Sequence, residues 1–235
     1  MSPFLFDPRY MMFMLPAFLL MMLAQWYVKS AYSRWSKVPA RSRLTGAEAA
    51  RRLISAGGLL GVQVEGVAGN LTDHYDPRQK VLRLSSGVYD SYSVAAVAIA
   101  AHELGHAMQD KEGYFPLRLR AAMVPAVNIG SYLGWILIVI GLLIQATQIA
   151  WLGVIVFSLG ALFALATLPV ELNASRRARQ LLATSGIIAG EDEMRGVNNV
   201  LNAAAMTYVA ALITAVLQLL YWVSVVAGMG GRRRN

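Results

Sequence analysis

Cysteine is absent from the 235-residue chain and histidine nearly so, with only His74, His102 and His106 present. Without thiols there is no disulfide framework and no thiolate metal site. A tightly held metal has to use imidazole, carboxylate, carbonyl oxygen or water. Charge is scarce too, at 14% of residues, and acids are the scarcer kind, 13 against 21 bases, for a net charge of +8. This is not a soluble nucleic-acid binder, which has no need of long uncharged runs. The chain is 57% hydrophobic, and its apolar residues gather in four stretches, as in membrane proteins whose basic residues collect on one side. No internal repeat is visible.

The first stretch, Tyr10 to Val28, approaches the ~20 residues that cross a hydrocarbon core. It reads as a span rather than a signal peptide. There is no basic leader beyond Arg9 and no small-residue cleavage pattern before Trp26 and Tyr27, which suit an interfacial belt. Met123 to Ile144 and Ile149 to Val170 read as a transmembrane hairpin joined by the uncharged link Gln145-Ala146-Thr147-Gln148. Ala203 to Ala227 is the fourth span, and its abundant Ala and Gly, like those of the hairpin, suit close helix packing. Four spans put segments 29–122 and 170–204 on one side with 17 of the 21 basic residues, and Arg9 and Arg232 to Arg234 on the other. That bias places both segments in the cytoplasm. The chain then divides into an anchor (1–28), a cytoplasmic domain (29–122), the hairpin (123–170), cytoplasmic helices (171–202), the fourth span (203–228) and a loose basic tail (229–235).

Within the cytoplasmic part, Thr45-Gly46-Ala47-Glu48 has the form of a capping box, and the helix it opens should stop at Gly57-Gly58. Alternating Val62, Val64 and Val67 predict a short strand. Gly69-Asn70 predicts a turn, Leu71 to Tyr75 a second strand, Asp76-Pro77-Arg78-Gln79 another turn, and Lys80 to Leu84 the returning strand. A helix-plus-sheet unit this small needs further helices to rest on.

The apolar run from Ser93 to Ala101 has no internal Gly or Pro and predicts a helix capped by Ser91 or Ser93. At its end stands His102-Glu103-Leu104-Gly105-His106. Residues four apart share a helix face, so the two imidazoles converge at a spacing that suits Zn²⁺, while Glu103 is placed to polarise a water rather than to ligate. The alternative, two histidines in ordinary hydrogen bonds, leaves polar groups on an otherwise apolar helix without a costed partner. A catalytic zinc usually takes a third protein ligand, and the strongest candidate is Glu171, at the end of the third span. Ser175, four positions on, shares its face and can orient it. The competing role for Glu171 is an interfacial charge paired with Arg176 or Arg177. Glu191, Asp192 and Glu193 are weaker ligand candidates, since acids favour a helix start in any case.

Three blocks resemble the YugP-type neutral zinc metallopeptidases of bacterial membranes. They are Leu71-Thr72-Asp73-His74-Tyr75-Asp76-Pro77-Arg78, Ala100-Ala101-His102-Glu103-Leu104-Gly105-His106-Ala107, and Pro169-Val170-Glu171-Leu172-Asn173-Ala174-Ser175-Arg176-Arg177-Ala178. The resemblance runs from about Leu44 to Tyr208. The layout is also similar to membrane gluzincins of the HtpX type, with a transmembrane hairpin between the histidine helix and the glutamate helix. Those families carry Asp four residues after the ligand Glu, where this chain has Ser175. Site-2 proteases share the His-Glu-x-x-His pattern, but their Asn-Pro and Asp-Gly signature is missing.

The resemblance implies a mainly α membrane protein with four transmembrane helices and a small α+β, zincin-like cytoplasmic domain in the bacterial plasma membrane. It implies Zn²⁺ held by His102, His106 and Glu171, Glu103 as the catalytic carboxylate, and a peptide or membrane-protein substrate. The lipid bilayer and other membrane proteins are the remaining expected partners; nucleic acid is not one. A second class of function is a non-catalytic membrane scaffold with a structural zinc, for which Glu103 would have no use. A third, a transporter, is disfavoured because the spans hold almost no ionisable residues. His74 has two readings: an oxyanion donor opposite the metal, or, with Asp73, a shaper of the turn at Asp76-Pro77.

Overall fold

The computed structural model describes residues 7–231. The described chain is mainly helical, with seven helices and one three-stranded sheet. Four helices are long and apolar enough to cross a membrane: α1 (Pro8–Trp35), α5 (Phe115–Leu143), α6 (Thr147–Ser185) and α7 (Glu191–Gly231). The others are α2 (Gly46–Ala56), α3 (Ser86–Tyr89) and α4 (Val94–Lys111). The expected tail at 229–235 is helical as far as Gly231, and Arg232 to Arg234 lie outside the described residues.

Two compact units can be described separately. The first takes residues 7–24, 118–168 and 207–231. Its α5–α6 hairpin packs through glycines: a Cβ on Gly141 would stand 2.4 Å from the Ala150 nitrogen, and one on Gly153 2.6 Å from that of Ile138. Contacts that close leave the backbones touching, which is how helices without bulky knobs gain dispersion energy in lipid. Ile138, Ala150, Val154, Tyr221 and Trp222 form its buried cluster, with Tyr10 set edge-on to Tyr221 at 5.3 Å.

The second unit takes residues 25–117 and 169–206 and holds the larger core. Its centre is α4. Val94, Val97, Ala98, Ala101 and Leu104 are fully buried, against Leu53 of α2 and Leu82 and Leu84 of the sheet. The helix starts where expected, with the Ser93 hydroxyl accepting the Ala96 amide at 3.2 Å. The Thr45–Glu48 capping box is formed in both directions, at 3.2 and 2.8 Å, and α2 ends on Gly57.

The sheet departs from expectation in the limits of its second strand. Its strands are β1 (Gln63–Val67), β2 (His74–Asp76) and β3 (Val81–Ser85), in the order β1-β3-β2, with β1 parallel and β2 antiparallel to the central β3. The strand expected over Leu71 to Tyr75 is therefore only three residues long and shifted. Leu71 has a φ of +55°, and the Thr72 hydroxyl donates to the Ala68 carbonyl at 3.0 Å, so this stretch is a turn. Asp73 then spends its carboxylate on the Ser85 amide (2.8 Å) and hydroxyl. Asp76 closes β2 and caps the next turn, accepting from the amides of Arg78 and Gln79.

Four helices run longer than the apolar pattern, and α5 begins at Phe115 rather than Met123. α1 continues past Val28 to Trp35, where the indole N–H donates to Asn199 at 3.0 Å. Pro169 does not interrupt α6, which carries on through Glu171 to Ser185. α7 joins the acidic start at Glu191 to the fourth apolar stretch in one piece. Neither the polar end of α6 nor the polar start of α7 contains proline, so the polar turns propagate from the apolar ones.

Candidate metal centre

Helices α4 and α6 supply the site. His102 and His106 stand one turn apart on α4, and their rings meet edge to face with centroids 5.0 Å apart. Glu171 of α6 is 2% exposed, and its Oε2 lies 3.3 Å from His102 Nε2 and 3.5 Å from His106 Nε2. Three ligand atoms at ~2.0–2.1 Å around a tetrahedral zinc stand about 3.3 Å from one another. The donor set therefore fits zinc in chemistry and in spacing, and these three residues form a group able to hold a metal ion. Arg177, a proposed alternative partner for Glu171, is committed elsewhere: both terminal nitrogens donate to the Glu112 carboxylate, at 2.6 and 2.7 Å.

The two helices approach closely because of Gly105. A Cβ there would fall 2.4 Å from the Ala174 carbonyl oxygen. Gly105 sits beside His106, and Ala174 lies one turn beyond Glu171, so this contact sets the spacing of the ligands.

The outer nitrogens of both imidazoles are engaged. Ser175 Oγ lies 3.2 Å from His102 Nδ1, so the hydroxyl expected to orient Glu171 instead meets a histidine. Its face on α6 is as expected, but the neighbour it finds belongs to α4, which the α6 sequence does not reveal. His106 Nδ1 lies 3.0 Å from Oε1 of Gln109, a residue with no exposed surface. Gln109 and Asn173, which bonds it, were not singled out from the sequence. The available signal is that Gln109 stands three residues after His106 and so shares its face.

Electrostatics shift Glu103 and His106. Burial pushes the Glu103 carboxyl up; the two imidazoles pull it down, while Glu171 and Asp73 push it further up, and the net direction is upward. Burial alone would lower the His106 imidazole, but the hydrogen bond to Glu171 and the charge of Glu103 outweigh it, and the net direction is again upward. An imidazole held towards its cation beside carboxylates is what a site with an excess of negative charge produces.

The remaining candidates are spread out. His74 is exposed, and its Nδ1–H donates to the Thr72 carbonyl at 2.8 Å, within its own turn. It is not part of the metal-binding group. Glu193 is buried and accepts the amides of Arg41 and Ala189, while Asp192 pairs with Arg41 at 2.8 Å. Those acids tie a loop to the start of α7. Tyr75 of β2 donates to Asp110 at 2.8 Å. Asp110 is seven residues beyond Glu103, two turns along the same face, so β2 flanks the side of α4 that carries Glu103.

Helices of membrane-spanning length and a donor set fit for zinc define the class; the comparisons define the family. Residues 10–227 match the family described as "Putative neutral zinc metallopeptidase", and the chain belongs to that family. It is similar to the Bacillus subtilis (strain 168) protein named "Putative membrane protease YugP", at 46% identity over 212 residues, covering 90% of this chain and 93% of the relative. No solved structure is a significant match.

Proposed function

We propose that this chain is an integral-membrane, zinc-dependent endopeptidase. The observation that carries this reading is the convergence of His102 Nε2, His106 Nε2 and Glu171 Oε2 beside Glu103 on the same helix. His102, His106 and Glu171 would hold the ion. Zinc, when bound, acidifies water towards a pKa of ~7 and polarises a scissile carbonyl. Glu103 takes the proton of the attacking water on its carboxylate and delivers it to the leaving amine. A structural zinc site has no use for such a carboxylate. Ser175 and Gln109 hold the imidazoles from behind.

The substrate reading follows from the sheet. Among the described residues β2 pairs on one side only, with β3, and lies along the face of α4 that carries Glu103. An extended peptide segment added to that edge makes backbone hydrogen bonds and little side-chain selection, so flexible chain or loops of membrane proteins are the substrates. The domain carrying the site is zincin-like in this reading and faces the cytoplasm of a bacterial plasma membrane, supported by the 17 of 21 basic residues in its two segments. The bond from His74 to Thr72 supports the turn-shaping role for His74 over the oxyanion role.

The test is zinc content and cleavage of an unfolded protein by the detergent-purified full chain. Glu103→Gln is expected to keep zinc and lose cleavage, and Glu171→Ala to lose zinc. Cleavage by Glu103→Gln refutes the mechanism, and full zinc in Glu171→Ala refutes the ligand set. An inert, zinc-loaded wild type leaves the scaffold reading in its place.

A further inference from the structure

We propose that Gln109 is a positioning residue that holds His106 in its Nδ1–H tautomer and so keeps the Nε2 lone pair available to the metal; this rests on the zinc reading of the site. The argument is a chain of forced donors and acceptors. Glu112 is a carboxylate and only accepts, so it orients the Arg177 guanidinium through two bonds. Arg177 Nε, which only donates, points at Asn173 at 2.7 Å and so fixes the amide oxygen of Asn173 on that side. Gln109 meets that oxygen at 3.0 Å and the Val170 backbone carbonyl at 2.8 Å. Both are acceptors, so the end of Gln109 facing them has to be its NH₂, which spends both hydrogens there. Its other end is then the oxygen, with only lone pairs to offer His106 Nδ1 at 3.0 Å. Only an N–H at Nδ1 satisfies that contact. The opposite tautomer would set lone pair against lone pair at the fully buried Gln109.

The Val170 carbonyl makes the assignment independent of how the amides were oriented. A backbone oxygen cannot be flipped, so Gln109 reads the same way even if Asn173 is set aside. The network also joins α4 to α6 on both sides of Glu171, at Val170 and at Asn173, tying the histidine's orientation to the helix that carries the third ligand. Free imidazole favours Nε2–H, the form that cannot bind through Nε2. Gln109 thus removes a tautomer shift that would otherwise oppose metal binding. Losing an outer partner of this kind typically weakens metal affinity ~10–100-fold.

The experiment uses the full chain in detergent with Zn²⁺ as the probe, in a chelator competition, together with ¹⁵N-histidine NMR of the metal-free protein. Wild type is expected to show His106 protonated at Nδ1. Gln109→Met keeps the side-chain length but replaces the amide oxygen with a weakly accepting thioether, and is expected to lose ~10–100-fold in zinc affinity and to shift His106 towards Nε2–H. Gln109→Glu restores an oxygen to Nδ1 but loses both donated bonds, and is expected to recover the tautomer and bind zinc more tightly than Gln109→Met. A merely structural role predicts the reverse order, because the carboxylate would face the Val170 carbonyl. A metal-free wild type whose His106 carries no proton on Nδ1 overturns the inference even if neither variant folds. Zinc affinity in Gln109→Met equal to that of wild type overturns it too. A wild type that binds no zinc refutes the metallopeptidase reading instead, while the tautomer measurement still decides this one.

Discussion

Replacing Gly105 with alanine tests how the site is assembled, because local and tertiary effects predict opposite signs. On an isolated helix the change is favourable by roughly 1 kcal/mol. In the folded chain the added Cβ meets the Ala174 oxygen at 2.4 Å, its carbonyl carbon at 2.9 Å and its Cα at 3.0 Å. All three are backbone atoms and cannot rotate away. Restoring ordinary contact requires α4 and α6 to separate by roughly 1 Å at this point, and overpacking of this kind costs about 1–3 kcal/mol. The separation acts on the ligand spacings of 3.3 and 3.5 Å, which are already those of a tetrahedral zinc. If the bound form has to pull the helices back together, the same 1–3 kcal/mol is withdrawn from binding, a loss of about 5- to 150-fold in zinc affinity. Gly105→Ala is therefore expected to bind zinc more weakly in chelator competition and to melt no higher than wild type. A variant that keeps wild-type zinc affinity and gains melting temperature, as propensity alone would have it, refutes the claim that this contact sets the site.

Two further outcomes are expected. Ser175→Ala removes the partner of His102 Nδ1 and should weaken zinc binding ~10-fold while leaving the fold intact; unchanged affinity in the same competition would show the hydroxyl to be idle. The hydrogen bond from Arg177 holds the Glu112 carboxyl below the usual range, only partly opposed by burial. A depressed acid stabilises above its unfolded pKa of ~4.3 and loses that contribution as pH falls through its folded value. The Glu112–Arg177 coupling measured by a double-mutant cycle (Glu112→Gln, Arg177→Gln) should thus be present at pH 7 and be lost as acid protonates Glu112 below its lowered folded pKa. Because Glu112 is half exposed, the coupling should be only about 0.2–1 kcal/mol at pH 7; one that persists in acid would contradict the assignment.

Much of the site is written in local spacing. His102 and His106 share a face because α4 has 3.6 residues per turn, and the run before them has nothing to break a helix. Glu171 stands out because an acid at the end of an apolar stretch requires a reason. The capping box at Thr45 and the stop at Gly57 are equally local. The limits of β2 were not legible, because a positive φ at Leu71 and the capture of Asp73 by Ser85 depend on where β3 lies. The continuity of α1, α5, α6 and α7 beyond their spans was not legible either, since apolar periodicity ends where the lipid-like stretch ends, while the helix ends where its packing partners do.

The amino-acid sequence by itself determined the elements and the ligand types: which segments are helical, which imidazoles share a face, and that no thiol can bind a metal. Only the tertiary structure decided which acid meets the imidazoles, that Ser175 faces His102, and that Gln109 backs His106. The physical reason is range. Helix periodicity and capping act over three or four residues, whereas the meeting of α4 with α6 joins residues 61 to 73 positions apart and is set by Gly105 against Ala174, a contact that neither helix encodes alone.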